Sequence, residues 1–195
     1  MKKYFQQTIA IAFVAIAVAG CASAPSKFYT LNATAKSDGT SEAHYAIVVG
    51  PVTVPTEVDR PQFTVQLAPN RVGVDEFNRW AAPLNENIAR VIAADLATLL
   101  GTPRVATGSL ANFSSDYRVS LEIQKFATIP GKSVQIDAVW VVRKSVGNVS
   151  LSGHTSASEP ATGDYDALAA AHSRALAKVS ADIAAAIRAD ALPKP

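Results

Sequence analysis

Two long stretches of the chain repeat apolar residues at steps of three and four, the spacing of one helix face. The first covers residues 83–100: Pro83 suits a first-turn position, and Gly101 followed by Pro103 marks a stop. The second covers residues 164–190, is rich in alanine, and begins at Asp164, which can cap it. The pattern predicts two long helices, each with one apolar stripe.

Shorter stretches alternate apolar and polar residues, as strands with one buried face do. Residues 116–126, 134–142 and 149–155 follow one another through short turns, which predicts an antiparallel meander. Residues 63–67 form another alternating strand. Residues 45–55 begin as a continuous apolar run, typical of a strand buried on both faces. Pro51 has no N–H, so we expect this strand to reach a sheet edge or to bend there.

Strands that are grouped along the chain, with separate helices, predict an α/β (α+β) sandwich. We expect a mixed, largely antiparallel sheet of about six strands with the two long helices packed on one face. The polar face of the meander would then stay open to water or a partner. The length suits one domain plus a tether, and we predict a single domain over residues 44–192.

The first 20 residues have the pattern of an export signal. Lys2 and Lys3 provide the positive start, and residues 8–20 provide an apolar run with small residues at its end. A helix of that length rises only about 20 Å, less than the roughly 30 Å of a hydrocarbon core. The segment is therefore a poor permanent span, and residues 1–20 are predicted to be a signal peptide.

The end of this signal, Val18-Ala19-Gly20-Cys21, resembles a bacterial lipobox and contains the single cysteine of the chain. The resemblance implies cleavage between Gly20 and Cys21, and acyl chains, palmitate among them, on Cys21. The alternative is an ordinary secretory signal with a chance cysteine. Residues 21–43 are predicted to be the lipidated N-terminus and a tether with one short strand at Phe28-Tyr29-Thr30-Leu31. Ala22 is not the aspartate that tends to retain lipoproteins of enteric bacteria at the inner membrane, so the resemblance favours the outer membrane.

Removing the signal also changes the charge balance. The whole chain has 18 Lys and Arg against 16 Asp and Glu, and both signal charges are lysines, so the remaining side chains balance. A neutral chain with scattered charges does not indicate nucleic-acid binding. No cysteine remains for a disulfide, so stability must come from packing.

Motifs along most of the chain resemble the ABC-type transport auxiliary lipoproteins, the partners of MCE-domain proteins in bacterial lipid transport. The resemblance implies a non-catalytic accessory subunit of an intermembrane phospholipid transport system, with an MCE-domain protein as partner and a possible homo-oligomer. The motifs are Gly50-Pro51-Val52-x-Val54-Pro55, Asp59-Arg60-Pro61-Gln62, Arg79-Trp80, Pro83-Leu84, Tyr117-Arg118-Val119, Ala138-x-Trp140 and Tyr165-x-Ala167-Leu168.

The loop formed by residues 55–62 is the candidate partner site. Its residues are Pro55, Asp59, Arg60, Pro61 and Gln62. Prolines lower the ordering cost of a docking loop. The alternative is that Arg60 pairs with Asp59 or Glu57, or bonds backbone carbonyls, and only pins the loop. Trp80 and Trp140 are expected in the core, although tryptophan is also favoured at interface hot spots.

The sequence contains little that suggests catalysis, and we predict no enzyme, cofactor or metal. His44, His154 and His172 lack metal-ligand spacing, and there is no Gly-x-Ser-x-Gly elbow or P-loop. His172 lies on the apolar stripe of the second helix, so a packing role is expected. Two other functions stay open: a lipidated periplasmic hydrolase, and an envelope-assembly or cell-wall-associated structural lipoprotein.

Overall fold

The computed structural model describes residues 25–37, 39, 44–108, 112–147 and 149–191. It has the predicted α+β fold, with two helices and eight strands in this part of the chain. The predicted signal peptide and Cys21 lie outside the described residues. The strands are β1 (Lys27–Tyr29), β2 (Ile47–Thr53), β3 (Gln62–Ala68), β4 (Arg71–Trp80), β5 (Val105–Thr107), β6 (Tyr117–Ile129), β7 (Ser133–Lys144) and β8 (Ser150–Pro160), and the helices are α1 (Leu84–Leu100) and α2 (Tyr165–Ala191).

The larger sheet has five strands in the order β5-β2-β6-β7-β8. Strands β6, β7 and β8 pair antiparallel, which confirms the predicted meander. Strand β2 runs parallel to both β5 and β6. Its pairing with β5 ends at Val49, and its register against β6 shifts between Val49 and Val52. Pro51 lies at this shift, so the predicted interruption is confirmed.

Both helices pack on one face of the five-stranded sheet and against each other, as predicted. Helix α1 ends at Gly101, whose left-handed backbone (φ 61°) suits a residue without a Cβ. Pro83, expected in the first turn, stands one residue before the helix. The Ala167 N–H donates to Asp164 Oδ1 over 3.2 Å, which caps α2 as expected. The two stripes are buried in one continuous core.

The described residues form eight strands, more than the six or so that the pattern predicts, and three of these strands form a second sheet in the order β1-β4-β3. Neither β4 nor the short β5 was predicted. In β4 the alternation stops at Asp75 and Glu76. There, Gln62 pairs with Arg79 while Phe63 pairs with Asp75, so residues 76–78 bulge out of the ladder. One sheet of about six strands is therefore replaced by two sheets, of five and three.

The segment that follows β1 lies on the helices. Leu31 is fully buried, and the Asn32 N–H donates to Ser173 Oγ over 3.1 Å. The N–H groups of Thr34 and Ala35 both donate to Asp95 Oδ1, over 3.0 and 2.9 Å. Part of the predicted tether is thus held by side chains of both helices. The predicted boundaries at residues 21–43 and 44–192 stay predictions.

Asp95 is a fully buried carboxylate on α1. Burial raises its pKa, although the N–H groups of Ala35 and Thr34 and the Ser180 hydroxyl act in the opposite direction. Ser180 belongs to α2 and donates to Asp95 Oδ2 over 3.1 Å. One carboxylate therefore joins the N-terminal segment to both helices. No described helix is both long and apolar enough to cross a membrane.

Candidate functional site

The loop at residues 55–62 connects β2 to β3 and is held by its backbone. The Pro55 carbonyl accepts the N–H groups of Val58 and Asp59, over 3.0 and 3.1 Å. The side chain of Val58 is buried in the core. At the other end, the Trp80 N–H donates to the Pro61 carbonyl over 2.6 Å. Backbone hydrogen bonds therefore hold the loop at both ends. These bonds do not involve the side chains of the Asp-Arg-Pro-Gln motif.

The motif side chains mostly point to solvent. Asp59, Arg60 and Pro61 are exposed, while Pro55 and Gln62 are half-buried. Gln62 Nε2 donates to Glu76 Oε2 over 3.2 Å. Within the described chain, no hydrogen bond or ion pair holds the Arg60 guanidinium. The main chain of the loop is thus held in place, and the motif presents one cation, Arg60, and one anion, Asp59, beside a proline.

An aromatic cluster supports this loop from inside the domain. Phe63 stacks on Trp80 with ring centroids 4.1 Å apart, and contacts Tyr29 and Tyr165 edge-on at 5.5 and 5.1 Å. Trp80 is buried, as expected, and Trp140 is buried too. Two of the motifs, those containing Trp80 and Tyr165, therefore meet under the loop and serve packing. Offset and edge-on pairs of this kind contribute about 1 kcal/mol each beyond their buried area.

A hydrogen-bond network fixes the bulge of β4 beside this cluster. The Tyr165 hydroxyl donates to Asp75 Oδ2 over 2.7 Å. Asp75 also accepts the Phe77 N–H, the Asn78 N–H and the Asn78 side-chain amide, over 2.8 to 2.9 Å. Asn78 in turn accepts the Tyr29 hydroxyl over 2.8 Å. Sequence reasoning missed this site, because its members are far apart along the chain.

The network also sets the ionisation of two of its members. Burial acts to raise the pKa of Asp75, but the hydrogen bonds from Tyr165, Asn78 and Phe77 outweigh it and hold the pKa at about 2. Burial and the neighbouring carboxylate raise the pKa of the Tyr165 hydroxyl. At neutral pH the site is therefore one fixed anion whose four acceptor bonds are internal. Its role in this arrangement is to hold the bulge.

Two cavities lie beside the Gly50-Pro51 turn and the loop at residues 55–62. A groove of about 500 Å³ lies between the Gly50-Pro51 turn of β2 and the start of α1. Arg90 borders it, but its guanidinium already donates to Thr30 Oγ1, the Leu31 carbonyl and Asn87 Oδ1. A smaller crevice of about 180 Å³ lies between the loop, at Glu57 and Val58, and strand β6. Neither cavity gathers a set of unpaired charged groups.

The histidines lie in different surroundings. His172 is fully buried, stacks on Phe126 at 3.9 Å, and its Nε2 is 2.8 Å from Thr128 Oγ1. Burial lowers its pKa to about 3, so the ring is neutral at pH 7. This is the expected packing role. His44 and His154 are exposed. The described residues contain no group of three His, Cys, Asp or Glu side chains that could hold a metal ion.

The three-stranded sheet carries most of the exposed apolar side chains. Of the six large hydrophobic residues that are exposed in the described chain, Val146 lies in the turn between β7 and β8. The other five lie in β1, β3 and β4: Phe28, Leu67, Val72, Val74 and Phe77. Leu67 is 54% exposed and Val72 55%. Exposed apolar groups concentrated in one region mark a contact surface.

Comparison with known protein families identifies the family to which this chain belongs. The family model described as "ABC-type transport auxiliary lipoprotein component" matches residues 29–184. The chain belongs to this family, which confirms the resemblance of its motifs. The match begins in β1 and ends within α2, so it includes both sheets, the loop and the aromatic cluster.

Two solved structures are similar to the whole domain. A crystal structure of an uncharacterized protein is 20% identical, covers 84% of this chain and 99% of its own, and has a TM-score of 0.70. Protein XCC0632 from Xanthomonas campestris, assigned to DUF330, is 17% identical, covers 81% of this chain and 92% of its own, and has a TM-score of 0.67. At these identities the likeness shows a shared fold. No curated protein matches the chain.

Proposed function

We propose that this protein is an outer-membrane-anchored periplasmic lipoprotein. In this proposal it is a non-catalytic accessory subunit of an MCE/ABC-type system that moves phospholipid between membranes. The family match over residues 29–184 carries the proposal. The lipobox-like Val18-Ala19-Gly20-Cys21 supports the anchor, and the Ala22 argument supports the outer membrane.

The anchor and the loop would work together. More than one acyl chain on Cys21 holds a protein stably at a bilayer, where a single chain does not. A partner that reaches the same membrane then meets the domain at high effective concentration, so a weak contact suffices. The pinned backbone of the loop lowers the cost of ordering it on binding. Arg60 is exposed and held by no described group, and arginine is one of the residue types enriched at binding hot spots.

The first test concerns the anchor. In Cys21→Ala the fold should be unchanged, because the core of the described residues is formed without Cys21, and most of the protein should leave the membrane fraction. Fractionation of cells that express the wild type and the variant measures this. Recovery of Cys21→Ala with the membranes, at wild-type yield, would contradict the anchor.

The second test concerns the partner and the loop. Affinity purification from detergent-solubilised membranes should recover an MCE-domain protein with the wild type. Arg60→Glu should lower that recovery about tenfold, since charge reversal in an interface adds repulsion to the lost contact. Arg143→Glu is the matched control, since Arg143 is an exposed arginine on β7 outside the family motifs. Equal recovery with both variants would reject the loop, and recovery of cell-wall synthesis proteins alone would reject the transport function.

A further inference from the structure

The hairpin formed by β3 and β4 ends in a tip with an unusual surface. We use "hairpin tip" for residues 66–74. The tip is apolar on both faces: an added Cβ at Gly73 would meet Leu67, so these two share one face. Val72 pairs with Gln66, and Val74 with Thr64, on the other face. Leu67, Val72 and Val74 are all exposed.

The charge of the hairpin tip fits an apolar or anionic surrounding. From Gln62 to Val74 there is no Asp or Glu, and Arg71 is the single charged residue. Moving this segment out of water would therefore desolvate few ionic groups. One cation beside an apolar end also suits a surface of anionic headgroups, to which each basic residue adds attraction.

The topology directs the N-terminal chain toward this tip. Strand β1 runs parallel to β4, with Lys27 opposite Asn78 and Tyr29 opposite Trp80. The chain therefore enters β1 from the side on which β4 begins, at Arg71, beside the tip. Because residues 76–78 bulge out of the ladder, the distance is read from β3: Arg71 lies opposite Ala68 and Arg79 opposite Gln62, six residues or about 20 Å apart. Cys21 precedes Lys27 by six residues, which span at most about 20 Å. Cys21 and the hairpin tip can thus lie at the same height along the axis of β4.

We propose that the hairpin tip inserts into the headgroup region of the phospholipid bilayer that holds Cys21. This inference rests on the proposed function for the anchor, and adds a second membrane contact made by the folded domain. Leu67 and Val72 enter the boundary between headgroups and acyl chains, and Val74, further from the turn, lies in the headgroup region. The long side chain of Arg71 extends back so that its guanidinium lies among the phosphates. The inward N–H and C=O groups of the tip pair in the β3–β4 ladder. The outward groups, which no described strand pairs at the tip, stay in the hydrated headgroup region.

The same contact would orient the domain. The loop at residues 55–62 adjoins the start of β3 at Gln62, whereas the tip adjoins its end at Ala68. The seven residues of β3 span about 20 Å. With the tip in the bilayer, Arg60, which stands two residues before Gln62, lies near the far end of β3 from the membrane. The candidate docking loop is then presented to a partner that arrives across the periplasm.

The test uses acylated full-length protein in vesicles of phosphatidylethanolamine and phosphatidylglycerol. With the Cys21 thiol acylated, Leu67→Cys provides one site for an environment-sensitive fluorophore. Ser152→Cys, exposed on β8, is the matched control. We expect spin-labelled phospholipid to quench about half of the emission at position 67 and almost none at position 152. Flotation of the vesicles reports the anchor separately.

The outcomes separate the two proposals. Protein that floats with the vesicles, but whose label at position 67 is not quenched by lipid, overturns tip insertion and leaves the anchor standing. A blue-shifted but unquenched label means that a second copy or another protein covers the tip, which also overturns it. Protein that does not float refutes the anchor and this inference with it.

A second pair of variants tests the tip without the anchor. In the Cys21→Ala background, Leu67→Ser with Val72→Ser should lower binding to the same vesicles at least about tenfold, because two partly buried aliphatic contacts are lost. Ser152→Ala in that background should bind as Cys21→Ala does. Unchanged thermal melting confirms that the variants fold. Equal vesicle binding by all three proteins would contradict the insertion.

Discussion

The two sheets of this domain use their apolar residues in different ways. The five-stranded sheet turns its apolar face to two helices, and its side chains are buried in one core with them. The three-stranded sheet is small, buries an aromatic cluster at one end, and leaves five large hydrophobic residues exposed. The contrast within β3 is direct, because Phe63 is fully buried and Leu67, four residues later, is 54% exposed. The Phe63 end of β3 thus contributes to the stability of the core, whereas the Leu67 end is available for surface contact.

The largest expected effect comes from the buried end of β3. Phe63→Ala should lower the free energy of unfolding by about 3–5 kcal/mol, because it leaves a cavity among Tyr29, Trp80 and Tyr165. Urea denaturation followed by circular dichroism measures it. Leu67→Ala on the same strand is the control and should change stability by less than about 0.5 kcal/mol. Similar losses in both variants would abolish the distinction between the two ends.

The next effect concerns the interior between the five-stranded sheet and α2. His172 has a pKa of about 3 in the folded protein, against 6.5 for an ordinary histidine. A lowered pKa means that the stabilising contribution is complete above pH 6.5 and is lost as the pH falls toward 3. Between pH 7 and pH 4 the free energy of unfolding should fall by about 3 kcal/mol from this group.

His172→Leu serves as the comparison, with unfolding measured at both pH values. The variant should lose this part of the pH dependence whatever its stability at pH 7. Because burial raises the pKa of Asp95, its contribution has the opposite sign and is lost as the pH rises. The difference between the wild type and His172→Leu cancels it. Parallel pH profiles would show that His172 is not a buried neutral ring.

A smaller effect is expected where the N-terminal segment meets the helices. Asp95→Ala removes the acceptor of two backbone N–H groups and of the Ser180 hydroxyl. We expect a loss of about 2 kcal/mol and faster hydrogen exchange at Thr34 and Ala35. Hydrogen exchange with mass spectrometry localises the change. The control is Glu122→Ala, which removes an exposed carboxylate on β6 and should alter neither quantity. If Thr34 and Ala35 stay protected from exchange in Asp95→Ala, Asp95 does not hold the N-terminal segment to the helices.

The parts of the fold that the sequence predicts are those with local causes. The apolar stripes of α1 and α2, the stop at Gly101 and the interruption at Pro51 each depend on neighbouring residues. Strand β4 was missed because its alternation ends at Asp75. That residue is held by Tyr165, 90 positions further along the chain. A pairing at that distance leaves no periodic signal.

The candidate site, like the fold, has one part that the sequence predicts and another that it does not. The Asp-Arg-Pro-Gln motif marks a loop, and the structure shows how that loop is held, through Trp80 and Val58. The motif residues do not reveal which of them serve packing, because Trp80 and Tyr165 are recognisable only as aromatic residues until their contacts are known. The hairpin tip was missed for another reason. Leu67 has the pattern of a buried strand residue, and its exposure follows from the hairpin extending past the core.

The parallel pairing of β1 with β4 also decides how the domain bears a mechanical load. A pull on Lys27 toward the hairpin tip runs along the strand axis, so it shears the ladder and strains its hydrogen bonds together. Further along the chain, after β1, the same force acts on Asn32, whose N–H is hydrogen-bonded to Ser173 of α2. A force at the N-terminal end is thus shared between a sheet and a helix, and the domain resists being unravelled from that end.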